Sequence, residues 1–229
     1  MIPLRDIIPS RTTPYITVTI IALNVMAWLF ELSLPRDVLP VFLQVYGVVP
    51  GDFHAPTLIS SMFLHGGWSH VIGNMWYLWI FGDNIEDRLG HARFIVFYLL
   101  CGITAALGQI VVDPSSTLPT IGASGAIAGV MGAYFVLYPN STVRGLVVIF
   151  PVQLSAWFFL GAWFLYQLIE ANFGIFGSAA NGGGVAFFAH VGGFVFGAIA
   201  AWLLTGAGLV APRTGAGRCV PPPSAACPS

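Results

Sequence analysis

Six long apolar runs, with very little charge to interrupt them, limit what this chain can become. They fall at about 15–34, 70–85, 94–112, 122–138, 152–173 and 186–205. Each approaches the roughly 20 apolar residues that cross a bilayer as a helix. Only 7% of the 229 residues are charged, against about a quarter in a soluble domain. An all-α integral membrane protein with six transmembrane helices is therefore expected. The second and fourth runs are short, so their N-terminal ends should lie below the membrane surface unless the bilayer thins there.

Orientation follows from arginine, because the chain has no lysine. Under a six-span count Arg5, Arg11, Arg88, Arg93, Arg144, Arg213 and Arg218 share one side, and only Arg36 lies on the other. Basic residues favour the cytoplasm, so both termini are expected there. A count of five or seven spans breaks this agreement.

Residues 1–14 then read as a cytoplasmic segment, 15–205 as the transmembrane domain and 206–229 as a disordered tail. The long outer loop 35–69 is unusually apolar: Val38–Tyr46 and Phe53–Leu64 could form short helices lying in the interface, and a packed outer cap is the favoured reading. Three cysteines make no disulfide framework, and Cys219 and Cys227 read as free thiols. Clustered basic residues of the kind that bind nucleic acid are absent. The first apolar run is long enough to be retained as a span rather than removed as a signal peptide.

Numbering the spans in and out brings three polar helix beginnings to one face. The second, fourth and sixth spans all start on the outer side, and they start with His70 and Asn74, with Ser124, and with His190. Ionisable groups at membrane depth are functional suspects. Packing supports their convergence. Gly125 and Gly129, extended by Ala133, form a small-residue ridge, and Ala189, Gly193, Gly197 and Ala201 form another. Such ridges let helix backbones approach closely in lipid. His190 lies on the face of Gly193 and Gly197, so close fourth and sixth spans would place it within reach of Ser124.

That juxtaposition points to nucleophilic chemistry. A serine hydroxyl is a weak nucleophile until a base takes its proton, and a histidine is suited to that task. No carboxylate is near His190 in sequence, so a Ser–His dyad fits better than a triad. An oxyanion needs donors; the free N–H groups at the helix start on Ser124, the His70 ring and the Asn74 amide could supply them. Taken singly, each residue has a structural reading: Ser124 as a small packing residue, the histidines as capped interfacial groups, Asn74 as interhelical glue. Their shared face favours function.

Four motifs then bring a family into view. They are His65-Gly66-Gly67-Trp68-Ser69-His70-Val71-Ile72-Gly73-Asn74, Gly82-Asp83-Asn84-Ile85-Glu86-Asp87-Arg88-Leu89-Gly90, Gly122-Ala123-Ser124-Gly125-Ala126 and Ala189-His190-Val191-Gly192-Gly193. Over about 15–205 the chain resembles the rhomboid intramembrane serine proteases. The resemblance implies a six-helix bundle with Ser124 as nucleophile and His190 as general base in a water-filled cavity open to the outside. It implies an oxyanion hole of His70, Asn74 and the Ser124 amide, and structural roles for His65 and Glu86. It also implies single-span membrane protein substrates, with no metal or cofactor. In two places the chain departs from many relatives: Pro56-Thr57 stands where they carry Trp-Arg, and Ala128 stands where some carry an aromatic residue stacked on the catalytic histidine.

A non-proteolytic rhomboid-like protein that binds membrane clients is the main alternative, although loss of Ser or His is its usual mark and both are present. A transporter would need broken helices at matching places in both halves, whereas both glycine-rich breaks lie in the second half. A metalloprotease would need ligands such as H-E-x-x-H, which are missing. A bacterial cytoplasmic membrane is the expected location, with the active site opening outward; the oligomeric state is left open.

Overall fold

The computed structural model describes residues 1–176 and 187–210, with side chains to 169 and from 187. Eight helices follow in order: α1 (Tyr15–Ser33), α2 (Val38–Tyr46), α3 (Thr57–Ser60), α4 (Trp68–Leu89), α5 (His91–Val112), α6 (Ser124–Leu137), α7 (Ala156–Phe176) and α8 (Phe187–Gly206). Three of them, α1, α5 and α8, are long and apolar enough to cross a membrane. α6 and the first part of α7 are apolar but shorter. α4 has the length, but its last turns hold Asp83, Glu86, Asp87 and Arg88.

α6 is the axis of the bundle. Eleven of its 14 residues are buried, so it keeps little surface for lipid. Small residues make this possible. A Cβ on Gly193 of α8 would collide with the Gly125 carbonyl of α6, one on Gly197 with the Gly129 carbonyl, and one on Gly132 with the Phe194 carbonyl. The two backbones are therefore in direct contact, the arrangement that apolar helices use in lipid, where no hydrophobic effect drives association. Gly129 likewise leaves room for Cys101 of α5, and Gly102 for Met62.

The few acidic groups fasten the helix ends. Glu86, fully buried on α4, accepts hydrogen bonds from the Ile16 and Thr17 amides at 2.9 and 2.8 Å and from the Thr17 hydroxyl at 2.7 Å. These amides belong to the unpaired first turn of α1, so α4 supplies the cap that α1 lacks. The next residue, Asp87, accepts from the Arg11 and Thr12 amides. At Gly90 a φ of +76° turns the chain from α4 directly into α5, a conformation glycine adopts without strain.

The outer segment forms α2, a 3₁₀ turn at Pro50–Asp52, α3 and a second 3₁₀ turn at Ser61–Phe63. It is tied to the chain leading into α6 by a bridge between Val48 and Thr120 and by the Gly122 amide on the Ser61 carbonyl at 2.8 Å. α2 coincides with the possible interfacial helix Val38–Tyr46 and buries none of its residues, which the favoured packed cap would have done.

The expectation of an all-α protein is corrected by a small antiparallel sheet in the order β1 (Ile2–Asp6), β2 (Thr142–Val147) and β3 (Phe150–Ser155). The run 152–173 is accordingly not one helix: Val152–Ser155 closes the hairpin, and α7 begins at Ala156. Short apolar strands and helices have the same hydropathy, and here the β-branched Thr142, Val143, Val147 and Val152 favour the extended form. The two-residue turn puts Val148 at φ 58°, the sign that tight hairpins demand. β1 lies against α4, with the Trp76 indole N–H on the Pro3 carbonyl at 2.6 Å. Asp6 at its end accepts from the Tyr134 hydroxyl at 2.6 Å and the Asn84 amide at 2.9 Å. β3 continues into α7, so the sheet links α4 to α7. The expected tail, with Cys219 and Cys227, lies outside the described residues from 211 onward.

Gly197→Ala should push α6 and α8 apart and cost about 1–3 kcal/mol, read as a lower melting temperature in detergent. Gly73→Ala, where a Cβ meets open space, should leave the melting temperature nearly unchanged. A second outcome concerns pH. Burial, with Asp83 nearby, raises Asp6 from its ordinary 3.8 to about 6, against the opposing Tyr134 hydrogen bond. Between those values the folded chain keeps a proton that the unfolded chain releases, so this stabilisation is full below 3.8 and lost as pH rises through about 6. Asp6→Asn should therefore gain melting temperature relative to the parent as pH is raised across that window.

Candidate active site

Ser124 is the first residue of α6, and His190 lies in the first turn of α8. The glycine contacts set their separation, because Gly125 follows Ser124 directly and meets Gly193, three residues beyond His190. The Ser124 Oγ stands 2.7 Å from His190 Nε2, within hydrogen-bond distance. His190 is buried, whereas Ser124 and His70 are half-buried and Gly66, Trp68 and Ser69 beside them are exposed.

α4 brings a second histidine to the same place. The Gly66 amide donates to His70 Nδ1 at 3.3 Å, which leaves the ring proton on Nε2. That Nε2 faces Gly122, whose φ of +121° turns its missing side chain inward. A Cβ there would lie 2.7 Å from His70 Nε2 and 3.5 Å from Ser124 Oγ. Only a glycine leaves this space open, and the space is bordered by a ring donor, by the hydroxyl and by the start of α6.

The remaining expected residues divide into two places. Asn74 is buried, and its amide donates to His65 Nε2 at 3.1 Å. One amide proton is thereby committed to His65, and the other is available to a second acceptor. His65 is held in turn by its backbone N–H, 3.2 Å from each Glu31 carboxylate oxygen, and its ring meets the His70 ring edge-on at 5.1 Å. Glu86 is elsewhere: it caps α1, sixteen residues along α4 from His70, or roughly 24 Å at 1.5 Å per residue.

The structure adds side chains that sequence reasoning did not single out. His190 Nδ1 lies 2.8 Å from Gln167 Oε1 of α7, and both residues are buried. The Trp163 ring, one turn earlier on the same helix, is 6.1 Å from the His190 ring. Gln167 is the single amide in the apolar stretch Ala156–Ile169 of α7, and a polar group in such a stretch was the signal for it. Glu31, near the end of α1, is a further buried polar group of this region. Among the described residues, no three His, Cys, Asp or Glu side chains converge as metal ligands would.

The arrangement provides a hydroxyl, a ring nitrogen able to take its proton, and a small donor-lined space beside them. Comparison with known proteins places it. The family profile for the Rhomboid domain matches residues 52–207, well over half of the chain.

The chain belongs to the rhomboid family.

Among its relatives is the Rhomboid protein 1, mitochondrial, of Saccharomyces cerevisiae, 30% identical over 167 residues, covering 70% of this chain and 46% of the yeast protein. The chain thus spans about half the length of that relative. The putative rhomboid protease YdcA of Bacillus subtilis is 34% identical over 140 residues, 58% of this chain and 68% of YdcA. The rhomboid protease GluP of the same organism is 40% identical over 76 residues, covering 33% of this chain and 14% of GluP. Rhomboids are integral membrane proteins, and protease-named members are among the relatives of this one. The matched span holds Ser124, His190, His70, Asn74, His65 and Glu86.

Proposed function

We propose that this rhomboid is an intramembrane serine endopeptidase that cleaves single-span membrane proteins in or near their transmembrane helix. The observation that carries the reading is the 2.7 Å contact of Ser124 Oγ with His190 Nε2 beside the space kept open by Gly122.

In this reading Ser124 Oγ attacks the scissile carbonyl while His190 Nε2 takes its proton. The carbonyl oxygen, now an oxyanion, moves into the space at Gly122. His70 Nε2–H and the Ser124 amide stabilise it, with the spare Asn74 N–H as a third donor. His190 then returns the proton to the leaving amine, and water repeats the sequence on the acyl-enzyme. His65 orients Asn74, and Glu86 fixes α1 against α4. The step needs water at membrane depth, and in this reading the half-buried Ser124 and His70 open to the outer side. No metal or cofactor enters the scheme.

The proposal includes six membrane-crossing helices with both termini cytoplasmic. α4, α6 and α7 then act as spans by being shielded within the protein or by crossing a thinned bilayer. A bacterial cytoplasmic membrane is the proposed location.

Cleavage of a model single-span substrate in reconstituted vesicles tests this reading. Ser124→Ala and His190→Ala should abolish cleavage while leaving the melting temperature close to that of the parent. Cleavage that survives Ser124→Ala rejects the nucleophile. Gly122→Ala fills the oxyanion space, so kcat should fall by about a hundredfold or more, the scale of losing an oxyanion-hole donor. A Gly122→Ala variant with parental kcat would place the oxyanion elsewhere.

A further inference from the structure

We infer that Gln167 is a positioning residue that fixes His190 in the tautomer able to act as a base, and that α7 supports that ring through Gln167 and Trp163. This rests on the proposed protease reading and deepens it. Neutral imidazole carries its proton on one nitrogen only. If Ser124 is to donate to Nε2, the proton must be on Nδ1, and a buried Nδ1–H needs an acceptor. Gln167 Oε1, a carbonyl oxygen 2.8 Å away, is that acceptor. With an apolar residue at 167 the buried Nδ1–H would lose its partner, and the tautomer with the proton on Nε2 would be favoured, donating to Ser124 rather than accepting from it.

The second observation concerns the ring plane. Position 128 on α6 is the small, buried Ala128, so α6 offers His190 no aromatic support four residues after Ser124. On α7, Trp163 and Gln167 are four apart and share a face; Trp163 is 6.1 Å from the His190 ring at 38°, and Gln167 meets its edge. The opposite side of α7 exposes Trp157, Phe158, Leu165 and Tyr166. Phe164 stacks on Phe194 of α8 at 4.7 Å and holds the inner face in place. A neutral amide orients the imidazole without bringing a buried charge, which a carboxylate in the same position would add. The dyad therefore depends on the placement of α7, the helix that β3 leads into.

The test uses the full chain in lipid, labelled with ¹⁵N-histidine, and compares the parent with Gln167→Leu, Gln167→Met and Gln167→Glu. In the parent the His190 side-chain nitrogen signals should show Nδ1 protonated and Nε2 bare. Gln167→Leu, or Gln167→Met where the Leu variant does not fold, should move the proton to Nε2, and Gln167→Glu should restore the parental pattern. In the cleavage assay the apolar variants should lose about ten- to a hundredfold in kcat with KM within about twofold, and Gln167→Glu should recover activity. Parental nitrogen signals in the apolar variants overturn the inference. So does a shifted tautomer with parental kcat. A parent that cleaves nothing rejects the protease reading, while the nitrogen signals still decide whether Gln167 sets the tautomer.

Discussion

The contact on which the structure depends is that of bare backbone with bare backbone between α6 and α8. Lipid gives two apolar helices no reason to associate, so the attraction must come from close packing. The glycines at 132, 193 and 197 allow it, since a Cβ at 193 or 197 would meet a carbonyl oxygen of α6 and one at 132 a carbonyl oxygen of α8, while the open sides of Gly125 and Gly129 are taken chiefly by Ala105 and Cys101 of α5. The crossing also sets a register. Ser124 and His190 flank it, and their 2.7 Å separation follows from which glycine faces which carbonyl. Packing and the geometry of the site are the same fact at this point.

Charge is scarce in this chain, and much of what exists is used to join segments distant in sequence. Glu86 completes the first turn of α1, Asp6 ties β1 to α4 and α6, and Glu31 holds the backbone of His65. A buried carboxylate is costly unless it is hydrogen-bonded. These groups therefore discriminate between arrangements: a misplaced helix would leave an ion in an apolar surrounding. The same logic extends to amides, with Asn74 on His65 and Gln167 on His190.

α7 is where the local pattern was least informative. The run expected to be helical begins at Val152, yet Val152-Gln153-Leu154-Ser155 alternates apolar and polar with the period of a strand, and these residues pair with β2. The side chains of α7 that matter most are separated from Ser124 and His190 by a hairpin or by a connection outside the described residues. No local spacing connects Gln167 to His190, 23 residues away.

Sequence alone determined the apolar runs, their order, the ridges of small residues and the polar helix starts that carry His70, Ser124 and His190, because each is written in the period and composition of a single segment. It also offered Val38–Tyr46 as a short helix, beside the packed cap it favoured. Only the tertiary structure decided what depends on two segments at once. It assigned the Asn74 amide to His65, showed that Glu86 caps α1 rather than approaching the site, turned the chain start into a strand and brought Gln167 to the Nδ1 side of His190. Strand pairing and buried hydrogen bonds need a partner to exist at all, and the partner's position is a property of the folded bundle.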